Sequence, residues 1–284
     1  MSKKKEPVFP EIPAGCQLVD THCHLDMNAY QSDLAQVLRQ AAVRGVGRII
    51  TVGIDQASSR RAVALTEKYP GVSATVGIHP HNLGECSEES LAGLAELAKH
   101  PKVVAFGEIG MDLHYDYFPA DLQRTHFTRQ VALAKELALP LVIHDRDAHE
   151  QVLAVLREAG PFPAGGVMHC FSGDGALAEA VMELGFYISV PGVVTFAKSA
   201  QLQEAVRQTP LNRLLLETDG PYLAPEPRRG RRNEPALMLF TAARVAELKG
   251  VTLAELAVAT TANAERLFRL APETLAGSTS EVAG

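Results

Sequence analysis

His22 and His24 are separated by one residue in the run VDTHCHLD. On an extended chain alternate side chains share a face, so the two imidazoles can reach one cation together. Alone, such a pair is a weak signal. Glu108, His144, His169 and Asp219 strengthen it, because each ends or follows a β-rich run elsewhere in the chain. Five separate segments then deliver imidazole or carboxylate groups to one place, a coincidence that independent buried or capping residues would not produce. The set of six exceeds what one zinc ion takes, since zinc prefers four ligands and keeps a position open for catalysis. Two divalent ions that share a carboxylate resolve the excess. Glu108 is the expected bridge, with His22, His24 and Asp219 completing one site and His144 and His169 the other. Ions about 3.5–4 Å apart could clamp a phosphoryl or carbonyl oxygen and activate a water, which is hydrolytic chemistry. Glu108 and Asp219 are the expected catalytic carboxylates, Asp219 as a base toward that water. Imidazole and carboxylate donors accept Zn, Mn, Co or Mg, so the identity of the two ions stays open.

Holding these residues together requires elements that converge at one end. Strand-like runs are expected at Gln17–Thr21, Arg48–Gly53, Val72–Gly77, Val103–Glu108, Leu141–His144, Gly166–His169, Tyr187–Val190 and Leu214–Thr218. Helical spacing of apolar residues lies between them, at Leu34–Arg44, Ala57–Tyr69, Glu88–Lys99, Leu122–Leu137, Glu150–Ala159, Ala176–Leu184 and Gln201–Gln208. Gly45, Gly160 and Gly185 stand where helices should stop. Eight strands with helical crossovers imply a parallel sheet covered on its faces, and eight such units are the number that closes a TIM-type barrel. The expected fold is therefore α/β, a single (β/α)8 barrel of the metal-dependent hydrolase kind. An open doubly wound sheet is the rival, weakened by the absence of a GxGxxG turn after the first strand. In a barrel the ligands fall at the C-terminal mouth, where active sites of this architecture sit.

The 284 residues include 46% hydrophobic and 21% charged, ordinary for a globular enzyme, and carry a formal net charge of −6. A polyanionic partner would thus need a local basic patch. The cysteines, Cys16, Cys23, Cys86 and Cys170, contain no CxxC pair and suggest neither a disulfide framework nor a zinc ribbon. Cys23 and Cys170 adjoin histidines and are expected to pack outward, away from the ligands. Lys3, Lys4 and Lys5 are followed by Glu and Pro rather than an apolar core, unlike a signal peptide. No stretch approaches the roughly 20 apolar residues of a membrane span. The expectation is a cytoplasmic protein, with mobile segments at residues 1–14 and 272–284 flanking a domain over 15–271, and with no obligate protein partner.

The motifs VDTHCHLD (19–26), VGIHPH (76–81), GEIGMDLHYD (107–116), IHDRDA (143–148), HCFSG (169–173), ETDGPYLAP (217–225) and RGRRNEP (229–235) run in order along the chain. In this the sequence resembles the TatD family of metal-dependent deoxyribonucleases. The resemblance implies a TIM-type barrel, divalent-metal hydrolysis of DNA phosphodiesters and two metal sites on the residues named above. Met111, the pair Leu113–His114 and Gly220 depart from the family pattern, the pair lying in the loop beside Glu108.

Arg228, Arg229, Arg231 and Arg232 occupy a Pro- and Gly-rich loop after Asp219. Guanidinium forks suit phosphate oxygens, so the loop is expected to clamp phosphate over the mouth, the local patch a nucleic acid would need, and the family resemblance singles out Arg229 and Arg232. Arg146 and His79 are further candidates for substrate binding, and His81 could face the same space. Tyr222 and Phe171 could stack on a base. His100, His114, His126 and His149 receive no role. The expected activity is cleavage of DNA, at single-stranded ends because a narrow mouth admits one strand more readily than two. The competing readings are a D-aminoacyl-tRNA deacylase, a small-molecule amidohydrolase, and a binding module with a vestigial site; the intact ligand set opposes the last.

Overall fold

The computed structural model describes residues 8–270 together with Thr274 and Leu275. Among them, eight strands form one sheet in chain order: β1 (Leu18–Cys23), β2 (Val46–Val52), β3 (Val72–Val76), β4 (Val103–Asp112), β5 (Leu141–Arg146), β6 (Gly166–Met168), β7 (Tyr187–Val190) and β8 (Leu214–Leu216). Every ladder is parallel. The intervening helices are α1 (Leu34–Val43), α2 (Gln56–Lys68), α3 (Glu88–Leu97), α4 (Ala120–Glu136), α5 (His149–Ala159), α6 (Gly175–Glu183) and α7 (Ala200–Gln208). This is the (β/α)8 barrel, and the open-sheet alternative falls.

The seam between β8 and β1 is closed just beyond the short β8. The Asp219 N–H donates to His22 O at 2.9 Å and the His24 N–H to Gly220 O at 2.8 Å. Asp20 bridges the same seam with its side chain: its carboxylate accepts from the Thr218 N–H at 2.9 Å and from Thr218 Oγ1 at 2.6 Å. Asp20 is fully buried, and burial pushes its carboxyl up to about 7. The barrel therefore closes through the residues that carry the candidate ligands.

Two helices beyond the expected set follow β8: α8 (Met238–Lys249) and α9 (Leu253–Phe268). Thr252 and Glu255 cap α9 reciprocally. α9 lies across the starts of the strands, with Thr261 Oγ1 donating to Gln17 O and Asn263 Nδ2 to Leu214 O. Its Leu267 and Phe268 complete an apolar layer with Val19, Ile50, Val142 and Leu215. One end of the barrel is thereby plugged, which leaves the other for a site.

The expected boundaries shift at the mouth. β4 runs four residues past Glu108 and β5 two past His144, so neither residue closes its strand. β6 and β8 stop short, leaving His169 and Glu217–Asp219 in the loops that follow. Some described residues of the expected terminal segments contact the barrel and its helices. Phe9 packs against Phe240 with centroids 4.9 Å apart, and Ile12 packs on the core. At the other end the Leu275 N–H bonds Gly47 O. The remainder of both expected segments lies outside the described residues. Among the described residues no helix is long and apolar enough to cross a membrane.

Candidate metal centre

β1 and β4 each carry one extra residue where the candidate ligands lie. Asp20 pairs with Ile49 and Cys23 with Thr51, so β1 bulges at Thr21–His22. Phe106 pairs with Leu141 and Ile109 with Ile143, so β4 bulges at Gly107–Glu108. A bulge re-aims a side chain that regular alternation would misplace. Gly107 (φ 156°) and Gly110 (φ 150°) flank Glu108, and a Cβ on Gly107 would meet Val142 O at 2.5 Å. Only glycine lets β4 pass so close to β5 there.

The result is a cluster centred on Glu108, whose two oxygens face different partners. Oε2 lies 3.3 Å from His22 Nε2 and 3.9 Å from His24 Nε2. Oε1 lies 2.7 Å from both His144 Nδ1 and His169 Nε2, and 3.4 Å from His79 Nε2. Asp219 Oδ1 completes the first group, 3.4 Å from His24 Nε2 and 3.8 Å from His22 Nε2. Asp219 takes the left-handed conformation (φ 53°), a turn that an aspartate tolerates better than most residues. The six residues named from sequence are thus brought together, all buried or nearly so.

The donor set fits divalent cations. Donor atoms lie within 4.8 Å of one another in three groups: His22, His24 and Asp219; His22, Glu108 and His169; His79, Glu108 and His144. Both nitrogens of His22 and the Nδ1 atoms of His24 and His169 are buried without a hydrogen-bond partner. Orphaned buried imidazole nitrogens are costly unless a ligand satisfies them. In the chain alone, burial opposes the charge on Glu108, yet His169 and His79 hold its carboxyl well below the carboxylate range. Burial likewise disfavours charge on His169, but Glu108 and then Glu217 raise it well above the ordinary imidazole value. Burial pushes His79 down to about 4.

Asp112 is a participant that the sequence reading passed over. It lies four residues beyond Glu108, two steps of strand alternation, and is 1% exposed. Its Oδ2 is 2.8 Å from His81 Nε2 and 3.2 Å from His144 Nε2, so His144 stands between two carboxylates. Glu217, also unassigned from sequence, accepts the Cys170 N–H at 2.6 Å and lies 3.6 Å from His169 Nδ1.

The cluster opens into a cavity of about 650 Å³, with His79, His81, Arg146, Tyr115, Tyr117 and Tyr222 among its walls. A wider groove of about 1010 Å³ lies between α1 and α2, lined by Arg39 and Arg61, away from the clustered ligands. Several expectations change here. Cys170 does not pack outward: β6 has already ended, Cys170 takes φ 46°, and it lines the cavity. Cys23 is buried in the core near Tyr30, as expected. Phe171 is 1% exposed and out of reach of a base. Arg229 and Arg232 are not among the cavity's walls. Arg229 lies over the Phe196 ring at 4.4 Å. Arg232 is held by Asp33, by Glu234 and by Ala29 O.

A family model described as TatD related DNase matches residues 19–269. The chain belongs to the TatD family. It is 46% identical over 253 residues to the uncharacterized metal-dependent hydrolase YabD of Bacillus subtilis, covering 89% of this chain and 99% of YabD. It is 35% identical to a protein of Erwinia tasmaniensis named 3'-5' ssDNA/RNA exonuclease TatD, covering 89% of this chain and all of the relative. The crystal structure of YJJV, a TatD homolog from Escherichia coli, superposes with a TM-score of 0.84 at 34% identity, over 90% of this chain and 99% of that one. This TatD family protein is accordingly a metal-dependent hydrolase, and its clustered imidazoles and carboxylates are suited to divalent cations.

Proposed function

We propose that this TatD family protein hydrolyses phosphodiester bonds at the single-stranded ends of DNA, using two divalent ions. The observation that carries the reading is the division of Glu108, one oxygen toward His22 and His24, the other toward His144 and His169. A bridging carboxylate needs that arrangement. His22, His24, Glu108 and Asp219 would hold one ion; Glu108, His144 and His169 the other, with His79 at its edge. Bound ions would polarise a phosphoryl oxygen and lower the pKa of water.

The remaining steps belong to the chain's own residues. Glu108, Asp112 and Asp219 would repel a phosphodiester unless their charge were balanced, so substrate follows metal. Arg146, exposed in the cavity wall, is placed to bind a phosphate oxygen. Asp219 would accept the proton of the attacking water. His81, oriented by Asp112, would supply a proton to the leaving oxygen. Arg229, outside the cavity, would contact the strand only beyond the reacting phosphate, whereas Arg232 is engaged by Asp33 and Glu234.

A nucleic-acid substrate has support from the name of the Erwinia relative, a 3'-5' exonuclease. The test is digestion of single-stranded DNA, duplex DNA and D-aminoacyl-tRNA by purified protein with manganese, zinc or magnesium and with a chelator. Chelator-sensitive release of nucleotides from single strands is expected. Deacylation of the tRNA without cleavage of DNA would replace this reading by the deacylase one.

A further inference from the structure

Few large apolar side chains stand exposed on the described residues, and three of them ring this one cavity: Tyr115, Tyr117 and Tyr222 are 41%, 60% and 51% exposed. Tyr115 and Tyr117 sit in the loop after β4, and Tyr222 in the loop after β8. In an eight-stranded barrel ordered β1 to β8, those strands face each other across the axis. Two aromatic walls therefore stand on opposite sides of the candidate metal centre.

From these positions we infer that Tyr115 and Tyr117 on one side, and Tyr222 on the other, form a clamp that stacks unpaired nucleobases flanking the scissile phosphate; this rests on the nuclease reading above. The β4 wall is held by the chain's own hydrogen bonds. The Asp112 carboxylate accepts the N–H groups of His114 and Tyr115 at 3.0 and 3.1 Å, and Gln123 Nε2 bonds Asp112 O and Phe118 O. Tyr115 and Tyr117 lie 5.6 Å apart with planes at 39°, both packed against His81. The Arg146 guanidinium covers Tyr115 at 4.9 Å, placing a phosphate ligand beside a stacking ring. Across the mouth, Tyr222 meets the His24 ring edge at 6.2 Å and its hydroxyl reaches Met27 Sδ.

Anchored aromatic rings lose little freedom on binding, and every base offers a π-face, so such walls bind single strands with little regard to sequence. Bases within a duplex are stacked on each other and closed to them. Requirement for an unpaired end then follows from the side chains as well as from the width of the mouth.

The test uses the full chain loaded with manganese. Two substrates are compared, a single-stranded oligonucleotide and a twin whose terminal nucleotides lack their bases. Tyr115→Ala/Tyr117→Ala and Tyr222→Ala should each raise KM on the normal strand roughly ten- to hundred-fold, the loss expected of a forfeited base stack. Wild type should lose at least that factor on the baseless twin, where both walls lose their partners and the variants lose nothing more. Tyr→Trp should restore binding. Equal KM for the two substrates in wild type, or variants that lose as much on the twin as on the normal strand, would overturn the clamp while leaving the nuclease reading intact. Failure of wild type to cleave either substrate would overturn both.

Discussion

The rings of His22 and His169 lie parallel, 3.9 Å between centroids and 9° between planes, although one residue comes from β1 and the other from the loop after β6. Glu108 faces both, through Oε2 and Oε1 respectively. Two stacked imidazoles brought against one carboxylate are poor neighbours when protonated and good ones when each is neutral and holds a cation of its own. In the two-ion proposal Glu108 is the residue on which both sites would depend.

Glu108→Gln removes the shared charge while keeping the side chain's shape. Both ions should be lost or weakly held, and kcat should fall by several orders of magnitude, since two-ion activation of water is lost as a unit. Elemental analysis after dialysis, with circular dichroism to confirm the fold, is the measurement. Two ions per chain retained by the variant would remove Glu108 from the bridging position.

His24 and His144 occupy opposite sides of Glu108, so His24→Ala and His144→Ala should each deplete one ion preferentially. Anomalous scattering from crystals soaked in manganese would show which position empties. Loss of the same ion from both would mean the proposed division is wrong.

Cation affinity should rise with pH. Burial disfavours charge on His24, His144 and His169, but the carboxylates facing them raise all three above the ordinary imidazole value of 6.5. Ligation needs the neutral ring, so binding must expel protons that these residues retain to a higher pH than free imidazole. As pH falls, affinity should begin to weaken above pH 6.5, and more steeply than one proton would dictate. Calorimetric titration with manganese in buffers of different ionisation enthalpy counts the protons released. A pH-independent affinity would show that the rings are neutral before the metal arrives.

The barrel and the convergence of its ligands were legible because strand periodicity and ligand type coincide at His22, Glu108, His144, His169 and Asp219. What stayed hidden has physical causes. The bulges at His22 and Glu108 leave no mark in hydrophobic pattern, since they concern pairing with the neighbouring strand. Asp112 lies beyond the expected strand end at Glu108, and only the continuation of β4 brings its carboxylate to His144. The Asp20–Thr218 bond joins residues 198 apart and depends on closure of the barrel. α9 does carry a local signal, the Thr252–Glu255 capping pair.

Phe268→Ala should destabilise the fold by about 3–5 kcal/mol, as for other large aromatic truncations in packed cores. Phe268 is 2% exposed in the layer that plugs the barrel floor, far in chain order from the strands it seals. Denaturant titration gives the loss, and the metal content of the folded fraction should stay normal. A change below about 1 kcal/mol would mean α9 is dispensable to the floor.

Arg146 and Arg232 should separate what sequence alone had grouped. Arg146 lines the cavity beside Tyr115, and its guanidinium has no carboxylate partner among the described ion pairs. Its loss should raise KM for single-stranded DNA roughly ten- to hundred-fold, the worth of a charge-assisted hydrogen bond to phosphate. The salt dependence of binding should also flatten by about one counterion. Arg232 is already committed to Asp33 at 2.7 Å and Glu234 at 2.8 Å, and it covers the Tyr30 ring at 5.2 Å. Tyr30 in turn donates to Asn233 O at 2.6 Å, so Arg232 fastens the loop after β8 to the segment before α1. Arg232→Ala should therefore lower the melting temperature and leave the salt slope nearly unchanged, with KM shifted far less than in Arg146→Ala. Steady-state cleavage at several salt concentrations, beside thermal unfolding of both variants, decides between the two roles. An Arg232→Ala variant with a flattened salt slope and unaltered melting would return that arginine to the phosphate-binding role its loop position first suggested.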